Sequence, residues 1–123
     1  MKRPLLTIAT IALVGLGLLS GDPIPAQAGR VGGPVTTLLF IPAYECVYVD
    51  APFTVGEPAI VTIAGDGNSD LDLYLYDADG HVSPATGYGD SKFATMQVYR
   101  TGFFVSQVTN RGPWDATVVM TTN

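Results

Sequence analysis

The chain is poor in the residues that carry most enzyme chemistry. It has one cysteine, Cys46, and one histidine, His81, in 123 residues. A lone cysteine excludes an internal disulfide. The sequence contains no Gly-x-Ser-x-Gly elbow, no His-Glu-x-x-His and no Gly-rich phosphate loop ahead of a helix. Cys46 and His81 are a conceivable nucleophile and base, but neither sits in a local motif that supports the role. Cys46, within Tyr44-Glu45-Cys46-Val47-Tyr48-Val49, reads instead as a small buried strand residue. Bases are scarce too, at six Lys and Arg against eleven Asp and Glu. That imbalance argues against nucleic acid and anionic membranes, both of which need basic patches.

The N-terminus has the order of a processing signal. Lys2 and Arg3 precede a mostly apolar run, Leu5–Leu19, and a polar, Pro-containing stretch ends in Ala26-Gln27-Ala28. This predicts a secretory signal peptide over 1–28, cleaved after Ala28. The apolar run is shorter than the roughly 20 residues a membrane span needs, so no membrane insertion is expected after cleavage. Asp22 follows Leu18-Leu19-Ser20-Gly21 where a lipobox needs cysteine. The mature chain would be secreted or periplasmic, with four bases against ten acids. Its length suits one domain with a modest core.

No helix signal survives beyond that leader. Residues 29–34 read as a flexible lead-in, and a single domain is expected over 35–123. Short runs rich in Val, Ile, Thr, Tyr and Phe predict strands at Val35–Ile41, Tyr44–Val49, Ala59–Ala64, Leu71–Tyr76, Phe93–Tyr99, Phe103–Thr109 and Ala116–Thr122. Pro42, Pro52 and Pro58 fall between them. This spacing indicates an all-β sandwich or barrel. Ile60–Ala64 is apolar on both faces, as in a strand covered on both sides. His81–Ser91, with Pro84, Gly87 and Gly89, is expected to be the longest loop and a mobile one.

The densest chemistry lies in Gly65–Gly80, GDGNSDLDLYLYDADG. Leu71, Leu73 and Leu75 alternate with Asp70, Asp72, Tyr74 and Tyr76, which marks a strand with one buried face. Tyr74 and Tyr76 share the polar face, while Tyr88 and Trp114 lie in loop sequence. These four are the candidate ligand-binding aromatics, suited to stacking a sugar or gripping an extended peptide. The plainer alternative packs Tyr74 and Tyr76 beneath the long loop with bonded hydroxyls, and Trp114 over the edge of the core.

Asp70-Leu71-Asp72-Leu73-Tyr74-Leu75-Tyr76-Asp77, followed by Asp79-Gly80, resembles the signature of bacterial pre-peptidase C-terminal (PPC) domains. The likeness extends to Phe53–Ala59 before it and to Thr101–Val105 and Val108–Gly112 after it, covering roughly Phe53–Asn123. It implies a small jelly-roll-like antiparallel β-sandwich. Domains of this family ride on secreted enzymes, and some bind calcium, collagen or polysaccharide. Here no enzyme accompanies the domain, so a free-standing module is expected.

Calcium is the cofactor to weigh, although the sequence requires none. Asp66, Asn68, Asp70, Asp72 and Asp77 match an EF-hand count, but Leu71 stands where that loop needs Gly, and no helices flank it. Another geometry would use acids from both ends of the strand. The candidate ligands are Asp66, Asn68, Asp70, Asp72, Asp77 and Asp79. In related calcium-binding domains, acids ahead of the first strand contribute, and Gly29–Phe40 has none. The competing expectation is that these are turn acids, with Asp72 capping local backbone N–H groups. The sequence thus reads as a secreted, non-catalytic binding or structural module for an exported protein or a polysaccharide. A calcium-stabilised adhesion module for matrix or polysaccharide is the alternative, and a hydrolase the third.

Overall fold

The computed structural model describes residues 29–123, so the expected signal peptide lies outside the described residues. The described chain is all β. In order, the strands are β1 Gly29–Arg30, β2 Val35–Ile41, β3 Cys46–Thr54, β4 Ala59–Ala64, β5 Leu71–Tyr76, β6 Val82–Ala85, β7 Ser91–Met96, β8 Gly102–Asn110 and β9 Ala116–Thr122. They form two antiparallel sheets, β1-β3-β8-β5-β6 and β2-β9-β4-β7. No helix of the described residues is long and apolar enough to cross a membrane.

The pairing has a simple rule. β5 pairs with β6, β4 with β7, β3 with β8 and β2 with β9. Each pair encloses the one before it, so β2–β9 is one long hairpin rolled into two layers. That winding is the jelly roll. The strand period of two turns Leu71, Leu73, Leu75, Phe104 and Val108 from one sheet toward Ile41, Val61, Ile63, Val118 and Met120 from the other. Phe53 and Phe104 meet edge to face, with ring centroids 5.3 Å apart. Burying each such large side chain contributes about 1.5–3 kcal/mol.

Several elements differ from their sequence expectation. β6 forms within the segment expected to be a loop, as the second strand of a hairpin on β5. Its Pro84 is tolerated because β6 is an edge strand. β4 is central in its sheet, yet Ile60 and Thr62 are only half-buried and Ala64 is exposed. One face of that strand therefore looks to solvent. Gly29 and Arg30 of the expected lead-in pair with Thr54 and Phe53.

Pro52 lies inside β3 rather than between strands. Its carbonyl accepts from Val31 N at 2.8 Å, but it has no N–H to return to the Val31 carbonyl. The Arg30 guanidinium donates there instead, at 3.0 Å. Burial of that guanidinium pulls its pKa below the ordinary arginine value.

Candidate ligand-binding face

Four loops gather at one end of the sandwich, and backbone bonds tie them together. Gly65 N donates to Asp90 O, Leu71 N to Gly89 O, Arg111 N to Asp70 O and Asn110 N to Glu45 O. Carboxylates add further ties. Asp66 accepts from Ser69 Oγ at 2.9 Å and Thr117 N at 3.3 Å, Asp70 from Gly89 N at 3.3 Å and Asp115 from Ala43 N at 3.1 Å. Asp90 accepts from Gly67 N. The Ser69 hydroxyl first, and then the backbone N–H of Thr117, hold the Asp66 pKa below its ordinary value. Gly65 is required by the closeness of this packing, because a Cβ there would lie 2.9 Å from Asp90 Cβ.

Asn110 is the centre of this end, and it is fully buried. Its Nδ2 donates to the carbonyls of Ile41 at 3.1 Å, Pro42 at 3.3 Å and Trp114 at 2.7 Å, and its Oδ1 accepts from Gly112 N at 3.0 Å. One side chain thereby fixes the β2–β3 turn against the β8–β9 loop. Sequence reasoning did not single it out as a site residue. Its sequence signals are a polar residue following the Phe103–Thr109 strand pattern and a place in the Val108–Gly112 stretch of the family resemblance.

The aromatics at this end stand clear of the core. Tyr44 is 70% exposed, Trp114 66% and Tyr88 94%. Trp114 does not cover the core edge as one sequence alternative held, because Asn110 holds its backbone in the loop and leaves the ring outside. Tyr44 was missed by the sequence reading, which placed it in a strand. It occupies the third position of a turn closed by Glu45 N donating to Pro42 O at 3.1 Å. It is the one non-glycine residue among those described with positive φ, at 62°. For an L-residue that left-handed conformation costs about 1–2 kcal/mol.

Tyr74 and Tyr76 lie on the outer face of the five-stranded sheet. Their rings are stacked with centroids 6.5 Å apart. Tyr76 Oη donates to Gln107 Oε1 at 2.9 Å. The expected loop does not roof them, since β6 lies beside β5 in the same sheet. Cross-strand register places Tyr48, Gln107 and Tyr74 in one row and Cys46, Thr109 and Asp72 in the next. Among the described residues Asp72 caps no backbone group. It is buried on this face and pairs with Arg111 Nη1 at 3.3 Å. Cys46 is half-buried and unbridged.

The candidate calcium ligands are split between the two ends of β5. Asp66, Asn68 and Asp70 precede the strand, and Asp77 and Asp79 follow it. Asp70 and Asp77 are seven residues apart, or roughly 23 Å along a strand, too far to share an ion. At the second end, donor atoms of Asp77, Asp79 and His81 lie within 4.8 Å of one another. Each is already engaged. Asp77 Oδ1 accepts from Asp79 N at 2.9 Å and His81 N at 2.8 Å, and its Oδ2 meets His81 Nδ1 at 2.8 Å. Asp79 pairs with Arg100 beside an open cavity of about 90 Å³ walled by Tyr99 and Phe103. Two carboxylates and an imidazole do not suit calcium, which favours six to eight oxygens.

Burial pushes the Asp77 carboxyl pKa up. Hydrogen bonds from the His81 ring and from two backbone N–H groups outweigh it and leave the pKa below the ordinary value. Cys46 and His81 lie toward opposite ends of the sheet, so the conceivable nucleophile–base pair is not assembled. No family model matches the chain, and a search of curated proteins finds no match.

Proposed function

We propose that the protein is a non-catalytic binding module of the cell exterior that holds a neutral polysaccharide on the aromatic loop end of its sandwich. The observation that carries this reading is the pairing of exposure with rigidity at Tyr44 and Trp114. Both rings face solvent, and the buried Asn110 ties down the Pro42 end of the turn that carries Tyr44 and the backbone of Trp114 itself. Flat rings held in place offer contact area at little entropic cost, and backbone strain concentrates where function requires it. Neighbouring carboxylates can accept from sugar hydroxyls, and the acidic net charge disfavours anionic polymers. The stacked Tyr74 and Tyr76 extend the surface away from the loops. The sandwich architecture is compatible with the PPC resemblance of the β5 signature, and a PPC-like module is part of this proposal.

The test is retention on a panel of neutral polysaccharides, followed by calorimetry on the strongest binder. Tyr44→Ala and Trp114→Ala should each weaken binding by about tenfold or more while the domain stays folded. Tyr74→Ala should weaken it less. Binding of an extended peptide with no retention on any glycan would replace this reading with peptide recognition. Full retention by both loop variants would remove the loop end from the site.

A further inference from the structure

The rolled hairpin leaves open sheet edges, and they are not equally protected. β1 is two residues long, and β6 is four and contains Pro84. β7 carries Lys92 and lies against β5 and β6 of the other sheet. β2, Val-Thr-Thr-Leu-Leu-Phe-Ile, is seven residues long with no charge, no glycine and no internal proline. Among the described residues its only paired strand is β9. Long, uncharged edges of this kind are what natural sheets otherwise blunt.

The ladder shows which backbone groups are open. Asn123 N donates to Ile60 O, so odd-numbered residues of β9 turn their backbone groups toward β4. Thr117 N agrees, since it donates to Asp66 just beyond β4. The even-numbered residues of β9 therefore bond to β2, through Val35, Thr37, Leu39 and Ile41. Thr36, Leu38 and Phe40 are left with their N–H and C=O groups pointing off the edge. Their side chains, on the outer face, are exposed, Leu38 at 56% and Phe40 at 69%.

We infer that β2 is a self-association edge whose occupant is β2 of a second copy, antiparallel about a two-fold axis at Leu38. In that register Leu38 faces Leu38, and Thr36 faces Phe40 of the other copy. Each open N–H then meets an open C=O, and no donor or acceptor of the three residues is left over. A one-residue slip would set open groups against bonded ones, so parity selects the register. No like charges oppose each other anywhere along the strand. Pro34 and Pro42 bound the segment, limiting its growth into a longer ladder. The two four-stranded sheets would become one of eight strands, with their uncharged outer faces of threonine and apolar side chains continuous across the junction.

Sedimentation equilibrium of the purified protein should show a reversible monomer–dimer equilibrium. Leu38→Lys sets two like charges opposite each other and should weaken the dimer by roughly tenfold or more. Its outward position should leave the circular dichroism unchanged. Thr95→Lys, on the outer face of β7 at the far edge, should leave the equilibrium as it is. In a Cys46→Ser background, Leu38→Cys should oxidise to a covalent dimer, because paired Cα atoms near 5.5 Å suit a disulfide. Val119→Cys, one strand inward on the same face, should not. A strictly monomeric protein, or a dimer indifferent to Leu38→Lys, would overturn the inference. Val119→Cys cross-linking as readily as Leu38→Cys would also overturn it, since that indicates face-to-face stacking.

Discussion

Tyr44 puts a ring into solvent at the cost of a backbone conformation that favours glycine. Substituting Gly removes the left-handed penalty of about 1–2 kcal/mol but adds roughly 0.5–1 kcal/mol of unfolded-state entropy. Tyr44→Gly should therefore raise the melting temperature slightly while polysaccharide retention falls. A lower melting temperature would show that the ring stabilises the turn it stands on. Asp77 has the opposite character, since its carboxylate organises the β5–β6 turn. Its folded pKa is depressed, so its contribution is full above the ordinary aspartate value near 3.9 and is lost as pH falls through the folded pKa. The melting temperature of the wild type should exceed that of Asp77→Asn at pH 6. The gap should close as the pH is lowered below about 4, and a gap constant down to pH 2 would assign the effect to shape rather than charge.

At the scale of the strand, burial follows the alternation closely. Leu73 is fully buried at the centre of β5, with Leu71 and Leu75 beside it. Leu73→Asp should leave no cooperative thermal transition, because an unpaired carboxylate in that layer costs more than a small domain can bear. A folded variant would mean that the layer admits water. Four strands, β2, β4, β5 and β9, have the bounds that their sequence pattern predicts. They are the runs with β-branched or alternating apolar residues and clear turn residues at both ends. β6 was not legible because Val-Ser-Pro-Ala has no alternation to read. It is a strand because the Asp77–His81 turn folds it back onto β5. β3 runs on past Val49 through Pro52, whose missing donor is compensated by Arg30, a contact that no local pattern announces. The candidate site was partly legible. Tyr88 and Trp114 could be picked as loop aromatics, but Tyr44 looked like strand, and only the three-dimensional junction at Asn110 joins its turn to Trp114. The acids are close in sequence, but the extended strand β5 carries them apart.

Over the whole molecule, the nested pairing allows an order in time as well as in space. The innermost pair, β5 and β6, closes a short turn, and each later pair closes onto strands already joined. Zipping outward in this way avoids paying for one very long loop at the start. The outermost pair is then the last to form, and its members lie at opposite ends of the domain. Val35 meets Thr122. A chain that emerges N-terminus first, from a ribosome or through a translocation channel, presents β2 almost at once and β9 only at the end. Throughout that interval the strand without charge, glycine or internal proline waits with both of its edges open. Vectorial synthesis thus leaves the longest uncharged strand of the sheet edges the longest without its partner.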